Sequence, residues 1–167
     1  IKILRNFSKS KMEKVKQGTK LYVSRQNTNY RSIVNESDLI YFLKDQGFDI
    51  INPYNYEINR QHKIFASAEV IISPTGSNLA NIIFCRKGTK IIEIGPDLTN
   101  SIQEKKYSKI CKLLDLNYFK INADTVSVNQ HSSEALKYIN KQILEKSSYY
   151  KNLIVKVSDI KNFLAST

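Results

Sequence analysis

The residues best suited to chemistry form a short polar loop between an apolar strand and a helix, residues 73–78 (S-P-T-G-S-N). Gly76 allows the backbone to approach a ligand closely, and we expect the amides of Ser77 and Asn78 to point out of the helix N-terminus. Such amides attract anions, for example a diphosphate. The loop matches neither G-x-G-x-x-G nor G-x-x-x-x-G-K-[ST], which excludes those two signatures. The alternative is that Ser77 or Asn78 only caps the helix.

Two of the five arginines lie in one loop, at Arg25 and Arg31, in the order S-R-x-x-x-x-x-R. A guanidinium binds a phosphate through two parallel hydrogen bonds, which an ammonium cannot do. This pair therefore predicts a phosphate contact, although a salt bridge from Arg31 to Glu36 would be the purely structural explanation.

Glu93 interrupts an apolar strand, Ile91-Ile92-Glu93-Ile94. At the carboxyl end of a parallel sheet such a carboxylate can accept hydrogen bonds from ribose hydroxyls. The alternative is a structural pair with a lysine or with loop amides, because a carboxylate that enters the interior must be paired.

The histidines and cysteines do not form a metal-binding pattern. His62 and His131 are far apart, and Cys85 and Cys111 lack zinc-type spacing. We expect two buried free thiols in a reducing compartment, and a partly buried structural role for His62. No metal and no other cofactor is expected.

The elements that must position these residues alternate along the chain. Gly47 ends one helix, and Asn35 is the expected N-cap at its start. Alternating short strands and amphipathic helices predict an α/β fold, a Rossmann-like parallel sheet with helices on both faces. In such folds ligands bind at the carboxyl ends of the strands, where Arg25 and the Gly76 loop lie. Strands are predicted at Lys20–Ser24, Phe48–Ile51, Val70–Ile72, Lys90–Ile94, Tyr118–Ile121 and Leu153–Val157, and helices at about 1–16, 36–46, 58–67, 79–84, 101–114, 132–145 and 159–164.

The chain's 167 residues fit a single domain, and its formal net charge is +11. We expect a core over residues 20–146, a leading helix within 1–17 and a C-terminal extension over 147–167. The start, Ile1-Lys2-Ile3, predicts a fragment of a longer chain whose upstream part is missing. Lysines spread evenly along the sequence favour a solvated surface, with attraction to an anionic membrane or polyanion as the alternative.

Three segments together resemble glycosyltransferase family 61. The first runs from Lys20 to Glu36 (K-L-Y-V-S-R-Q-N-T-N-Y-R-S-I-V-N-E), and the second from Gln61 to Phe84 is similar to Q-x-x-x-F-x-x-A followed by G-x-H-G-A-x-L-x-N-x-x-F. The third is Lys90–Pro96. The family usually has His at the position of Thr75, and often a small residue at that of Asn78. Order and spacing agree over about residues 20–121.

The resemblance implies the C-terminal, nucleotide-sugar-binding half of a GT-B glycosyltransferase in capsular or surface polysaccharide synthesis. By position, Arg25 and Arg31 would hold the donor phosphates, with Arg25 facing the Gly76 loop. Glu93 would lie close to the ribose, and the nucleotide site would be lined by Thr75, Gly76, Ser77 and Asn78. The implied partners are a nucleoside-diphosphate sugar, a glycan or lipid-linked acceptor and a missing N-terminal acceptor domain. The expected location is the cytoplasm, with peripheral association at the inner membrane face and no nucleic acid partner.

Two rival interpretations follow from the residues alone. Another Rossmann-like enzyme, such as a methyltransferase, would require a glycine-rich turn after the first strand, where this chain has Ser24-Arg25-Gln26-Asn27. A nonenzymatic nucleic-acid-binding domain would require a basic stripe with exposed aromatic residues, for which Tyr30, Tyr54 and Tyr56 are the candidates.

Overall fold

A computed structural model describes residues 18–26, 28, 31–97, 105–126 and 151–166. The helices expected over 1–16 and 132–145 lie outside these residues. Elements are numbered here in chain order. The strands are β1 (Thr19–Val23), β2 (Phe48–Ile51), β3 (Ala68–Pro74), β4 (Lys90–Gly95), β5 (Asn117–Asn122), β6 (Asp124–Val126) and β7 (Asn152–Ile154). The helices are α1 (Glu36–Asp45), α2 (Ile58–Ser67), α3 (Lys105–Leu113) and α4 (Val157–Ala165), with 3-10 helices at Pro53–Asn55 and Ser77–Phe84.

The main sheet has five strands in the order β2-β1-β3-β4-β5, and every neighbouring pair is parallel. The chain moves outward from β1 to β2 and then returns to the other side of β1 for β3. The order therefore reverses between β1 and β3, which creates a crevice at their carboxyl ends. This arrangement confirms the predicted Rossmann-like α/β fold. A separate two-stranded sheet pairs β6 with β7 antiparallel.

Each face of the sheet has its own apolar core, as parallel strands buried on both faces require. Leu21, Ile71 and Ile91 pack under α2, the Ser77–Phe84 helix and α3. The alternate residues of the same strands pack with Leu39 and Leu43 of α1 and with Ile160 of α4. The alternation of side-chain direction along β1, β3 and β4 thus decides on which face of the sheet each polar residue of these strands lies.

The entry into α1 differs from the sequence-based expectation. Asn35 lies at the N-cap position, but its side chain does not cap the helix. Its Nδ2 donates to the carbonyl of Val155 at 2.7 Å, and its Oδ1 accepts from the amide of Val155 at 3.1 Å. A second tie joins the same two segments, because Ile33 forms a parallel bridge with Leu153. Asn35 therefore fastens the C-terminal segment to the crevice side of the fold.

Residues 151–166 contribute to the core, although the sequence suggested an extension there. Leu153, Val155 and Ile160 are almost fully buried in the core on the α1 face. The strand and helix expected in this segment are present as β7 and α4. Within the described residues, no helix is long and apolar enough to cross a bilayer.

Candidate functional site

The carboxyl ends of β1 and β3 bring Arg25 against Gly76. A Cβ built on Gly76 would lie 2.8 Å from Cζ of Arg25, and closer still to Nη1. The guanidinium therefore rests directly on the Gly76 backbone, and only a residue without a side chain leaves it room. Arg25 is only 5% exposed. The expectation that Arg25 faces the Gly76 loop is confirmed.

Arg31 lies at the other end of the same loop, also buried. Its φ is 58°, in the left-handed region, which non-glycine residues rarely adopt. Such backbone strain persists only where the surroundings enforce it, and it is concentrated at functional sites. The strained backbone and the buried charge at Arg31 agree with a site that holds an anion.

Glu36 is a buried carboxylate that the sequence indicated as a possible salt-bridge partner of Arg31. It is 4% exposed, and its Oε1 accepts from the hydroxyl of Tyr22 at 2.7 Å and from the amide of Arg25 at 3.3 Å. Burial, followed by Glu36, raises the pKa of Tyr22 well above its usual value, so Tyr22 remains a donor. The carboxylate thus occupies the N-terminal turn of α1 and holds the backbone of Arg25.

This occupation affects where a phosphate can bind. In many parallel α/β folds the helix after β1 offers its N-terminal amides to an anion. Here the chain's own carboxylate lies at that turn, and like charges repel. The Gly76 loop, on the other side of the crevice, is the other strand-end turn, and the guanidinium of Arg25 lies against it.

Glu93 lies beneath the Gly76 loop rather than in the open crevice. Its carboxylate accepts a hydrogen bond from the Tyr118 hydroxyl at 2.8 Å, and the Thr75 hydroxyl is a second donor close to it. Burial raises the pKa of Glu93, while these two donors, Lys120 and Lys106 partly offset the rise. The network joins β4 and β5 to the residue that precedes Gly76.

The backbone of the Gly76 loop is fastened at both sides. The amide of Thr75 donates to the carbonyl of Ile94 at 2.7 Å, which extends the β3–β4 pairing by one residue. The hydroxyl of Tyr107, on α3, donates to the carbonyl of Gly76. The loop is therefore a preorganised surface, which lowers the entropic cost of binding a ligand.

Ser77 and Asn78 begin the 3-10 helix but differ in environment. Ser77 is exposed, whereas Asn78 is buried. Neither caps the helix, because Gly76 is at the N-cap and no side-chain cap hydrogen bond forms. Among the described residues, none accepts a hydrogen bond from Nδ2 of Asn78. A buried donor without an acceptor costs about 1–3 kcal/mol, so this amide is suited to a ligand oxygen.

The predicted site residues are thus brought to one edge of the sheet in two layers. Arg25 and Gly76 meet at the crevice between β1 and β3, Asn78 follows Gly76 at the start of the 3-10 helix, and Arg31 lies at the end of the Arg25 loop. Glu93 supports Thr75 from below. The sequence indicated Glu36 only as a possible partner of Arg31. Tyr22, Tyr107 and Tyr118 gave no local signal, because their sequence surroundings are those of ordinary core aromatic residues.

His62 and the cysteines take structural positions. The imidazole of His62 stacks on Phe84 with 3.6 Å between ring centroids, and burial lowers its pKa. Cys85 and Cys111 are buried free thiols, as expected. Burial, with a smaller contribution from Glu93, raises the pKa of Cys111 to about 12. The described residues contain no cluster of three or more metal-binding side chains.

Comparison with known proteins adds one similarity. The family model described as Glycosyltransferase 61 matches residues 1–92, more than half of the chain. The match contains Arg25, Arg31 and the whole Gly76 loop, and it ends one residue before Glu93. A search of the curated proteins gave no significant match.

Proposed function

The chain belongs to glycosyltransferase family 61, and we propose that its parallel sheet forms the donor-binding half of a glycosyltransferase. Membership of this family supports glycosyl transfer as the general reaction class. The specific proposal is that a nucleoside-diphosphate sugar binds at the crevice between β1 and β3. The observation that carries it is the buried guanidinium of Arg25 against the backbone of Gly76.

The diphosphate is the part of the donor that the crevice suits best. Arg25 and Arg31 provide two positive charges, and the amide side of the Gly76 loop provides a preorganised turn beside them. Charge-assisted hydrogen bonds in a partly dehydrated site are stronger than neutral ones. We propose that these two arginines neutralise the diphosphate without a metal ion, and that Nδ2 of Asn78 donates to a donor oxygen.

Glu93 contributes through Thr75 in this proposal. Its carboxylate is buried beneath the loop and engaged by Tyr118, so in this proposal it supports the loop that would hold the donor. Thr75 stands where the family usually has His, and we propose that its hydroxyl links the loop to Glu93, a role that does not require an imidazole.

The remaining parts of the proposal concern what lies outside this crevice. In a GT-B enzyme a second domain holds the acceptor, and we propose that an N-terminal domain does so here. The acceptor would be a glycan or a lipid-linked glycan of a capsule or another bacterial surface polysaccharide. The reaction would then take place on the cytoplasmic side of the membrane.

Calorimetry with a panel of nucleoside diphosphates and nucleotide sugars tests donor binding directly. We expect heat with one nucleoside diphosphate and with its sugar conjugates, and weaker binding of the matching monophosphate, because it lacks one phosphate for the arginines. Absence of heat with every member of the panel would contradict donor binding by this chain.

A further inference from the structure

The net positive charge of the described residues is confined to one face of the molecule. This basic face is the outer layer over one side of the sheet, formed by α2, the Ser77–Phe84 helix, α3 and the turns beside them. Among the described residues its acidic side chains are Glu57 and Asp115, with Glu69 at its edge beside Arg86 and Lys87. Its basic residues are Arg60, Lys63, Arg86, Lys87, Lys105, Lys106, Lys109 and Lys112.

The rest of the described chain is electrically balanced. Outside the basic face it carries nine basic and nine acidic side chains. The lysines look evenly spread in the sequence, but among the described residues the excess lies on one side of the sheet. A solvated surface that arose only from lysine-rich composition would not favour one face over the other.

The exposed side of α3 carries the densest part of the basic face. Lys105, Lys109 and Lys112 recur at spacings of four and three residues, so they lie on one side of the helix. The opposite side is buried through Tyr107 and Cys111. Leu113 is 73% exposed at the edge of the lysine row, which adds an apolar group to a basic surface.

We propose that the basic face is a docking surface for an anionic lipid bilayer. Lysine side chains carry point charges on flexible apolar stems, which suits a fluid layer of anionic headgroups more than a fixed phosphate geometry. The negative surface potential attracts such clusters, and Leu113 can enter the headgroup layer. The inference goes beyond donor binding, which takes place at the carboxyl edge of the sheet.

Nucleic acid is the other polyanion that a basic face could bind, and the aromatic residues argue against it. Single-stranded nucleic acids stack their bases on exposed rings. Among the described aromatic residues of this face, Phe65 and Tyr107 are buried, His62 is stacked against Phe84, and Tyr56 is half-buried beneath Arg60. Tyr54, in the turn before α2, is 72% exposed. The described surface therefore offers eight basic side chains beside one isolated exposed ring rather than a row of rings, which favours headgroups.

Vesicle co-sedimentation of the full 167-residue chain tests this surface. We expect binding to vesicles of phosphatidylcholine mixed with phosphatidylglycerol, weakening as salt is raised, and no binding to phosphatidylcholine alone. The variant Lys105→Gln/Lys109→Gln/Lys112→Gln should lose about 100-fold in partitioning, because each lysine near a membrane surface contributes roughly tenfold at most. Leu113→Ser should weaken binding further in either background.

The matched control is Lys44→Gln/Lys151→Gln/Lys161→Gln, which removes the same charge outside the basic face. It should retain most of the binding. Equal losses in the two triple variants, or equal binding to both kinds of vesicle, would overturn the proposal. Tighter, salt-resistant binding of a single-stranded RNA oligonucleotide that the α3 variant abolishes would also overturn it, in favour of nucleic acid. Nucleotide calorimetry on the α3 variant should be unchanged, which separates this surface from the donor site.

Discussion

Gly76 has no side chain, and this leaves room for the guanidinium of Arg25. A substitution at Gly76 can test this role. Its backbone is extended, so alanine fits the local conformation, but the new Cβ would displace the tip of Arg25. We expect Gly76→Ala to weaken nucleoside diphosphate binding by about tenfold or more, since a charge-assisted contact contributes about 1.5–3 kcal/mol.

A double-variant cycle checks the cause of that loss. If Gly76→Ala acts by moving Arg25, then adding it to Arg25→Ala should produce little further loss of affinity. Calorimetry on the two single variants and the double variant measures this coupling. Fully additive losses would mean that Gly76 contacts the nucleotide independently of Arg25.

Glu93 should make the protein less stable as pH rises, which is the opposite of the usual effect of a carboxyl group. Its pKa in the folded protein is raised, so the folded state holds the proton more tightly than the unfolded state does. The stability that this proton contributes is fully present below the ordinary pKa of 4.5, and it is lost as pH rises through the raised pKa of Glu93. Glu93→Gln keeps the neutral shape and removes the titration.

The measurement is urea denaturation of wild type and Glu93→Gln from pH 4.5 upward. The free energy of unfolding of the variant minus that of wild type should increase as pH rises, because wild type loses the stability provided by the Glu93 proton and the variant does not. A flat difference between Glu93→Gln and wild type would mean that the proton is not held in the folded state.

At the level of the secondary-structure elements, the side chain of Asn35 could have either of two roles: it could cap α1, or it could join α1 to the C-terminal segment. An N-cap stabilises its own helix, whereas the structure has Asn35 clamping the backbone of Val155. We expect Asn35→Ala to cost about 1–3 kcal/mol of stability, since it leaves two polar groups of Val155 without their partner.

Asn35→Ser distinguishes the two roles, because serine is as good an N-cap as asparagine but is too short to make both bonds. The clamp predicts that serine destabilises the protein about as much as alanine does. Thermal or urea unfolding of the three proteins gives the comparison. A serine variant as stable as wild type would show that capping is what Asn35 provides.

The elements themselves were largely predictable because their signals are local. The bounds of β2 and α2 were predicted exactly, and β4 to within one residue, since a short apolar run or an amphipathic stretch bounded by Gly, Pro or Asn is sufficient. Asn35 was misassigned because its partner is far along the chain. The preference of asparagine for N-cap positions takes into account only the amides of the adjoining helix. In the folded chain the backbone of Val155 takes the hydrogen bonds of the same side chain.

The loop residues of the candidate site could be predicted from the sequence, but the buried residues that hold these loops in place could not. Arg25 and Gly76 stood out by residue type at strand ends, and the parallel fold brings such ends together. Glu36 and Tyr118 could not be assigned, because their roles depend on which strands become neighbours. The order β2-β1-β3-β4-β5 results from long-range packing that no single segment encodes.

At the scale of the whole molecule, the two thiols report on global unfolding. Cys85 and Cys111 are buried in the same core, and the pKa of Cys111 is about 12, so little thiolate is present near neutral pH. We expect both to react with a disulfide reagent such as Ellman's reagent only at the rate of unfolding. Equal, slow modification in buffer and rapid modification in denaturant would agree with this. Rapid reaction of either thiol in buffer would show that this core opens locally.

The central claim is that Arg25 binds the donor diphosphate at the crevice between β1 and β3. Calorimetric titration of the tightest-binding nucleoside diphosphate into wild type, Arg25→Ala and Arg25→Lys tests it most directly. The account predicts a loss of about 10-fold to 100-fold in affinity for alanine and a partial recovery for lysine, because a point charge cannot reproduce the bidentate contact. Melting temperatures without nucleotide show that each variant is folded under the conditions of the titration. Wild-type affinity in a folded Arg25→Ala variant would contradict the account, because the guanidinium would then serve only the packing against Gly76.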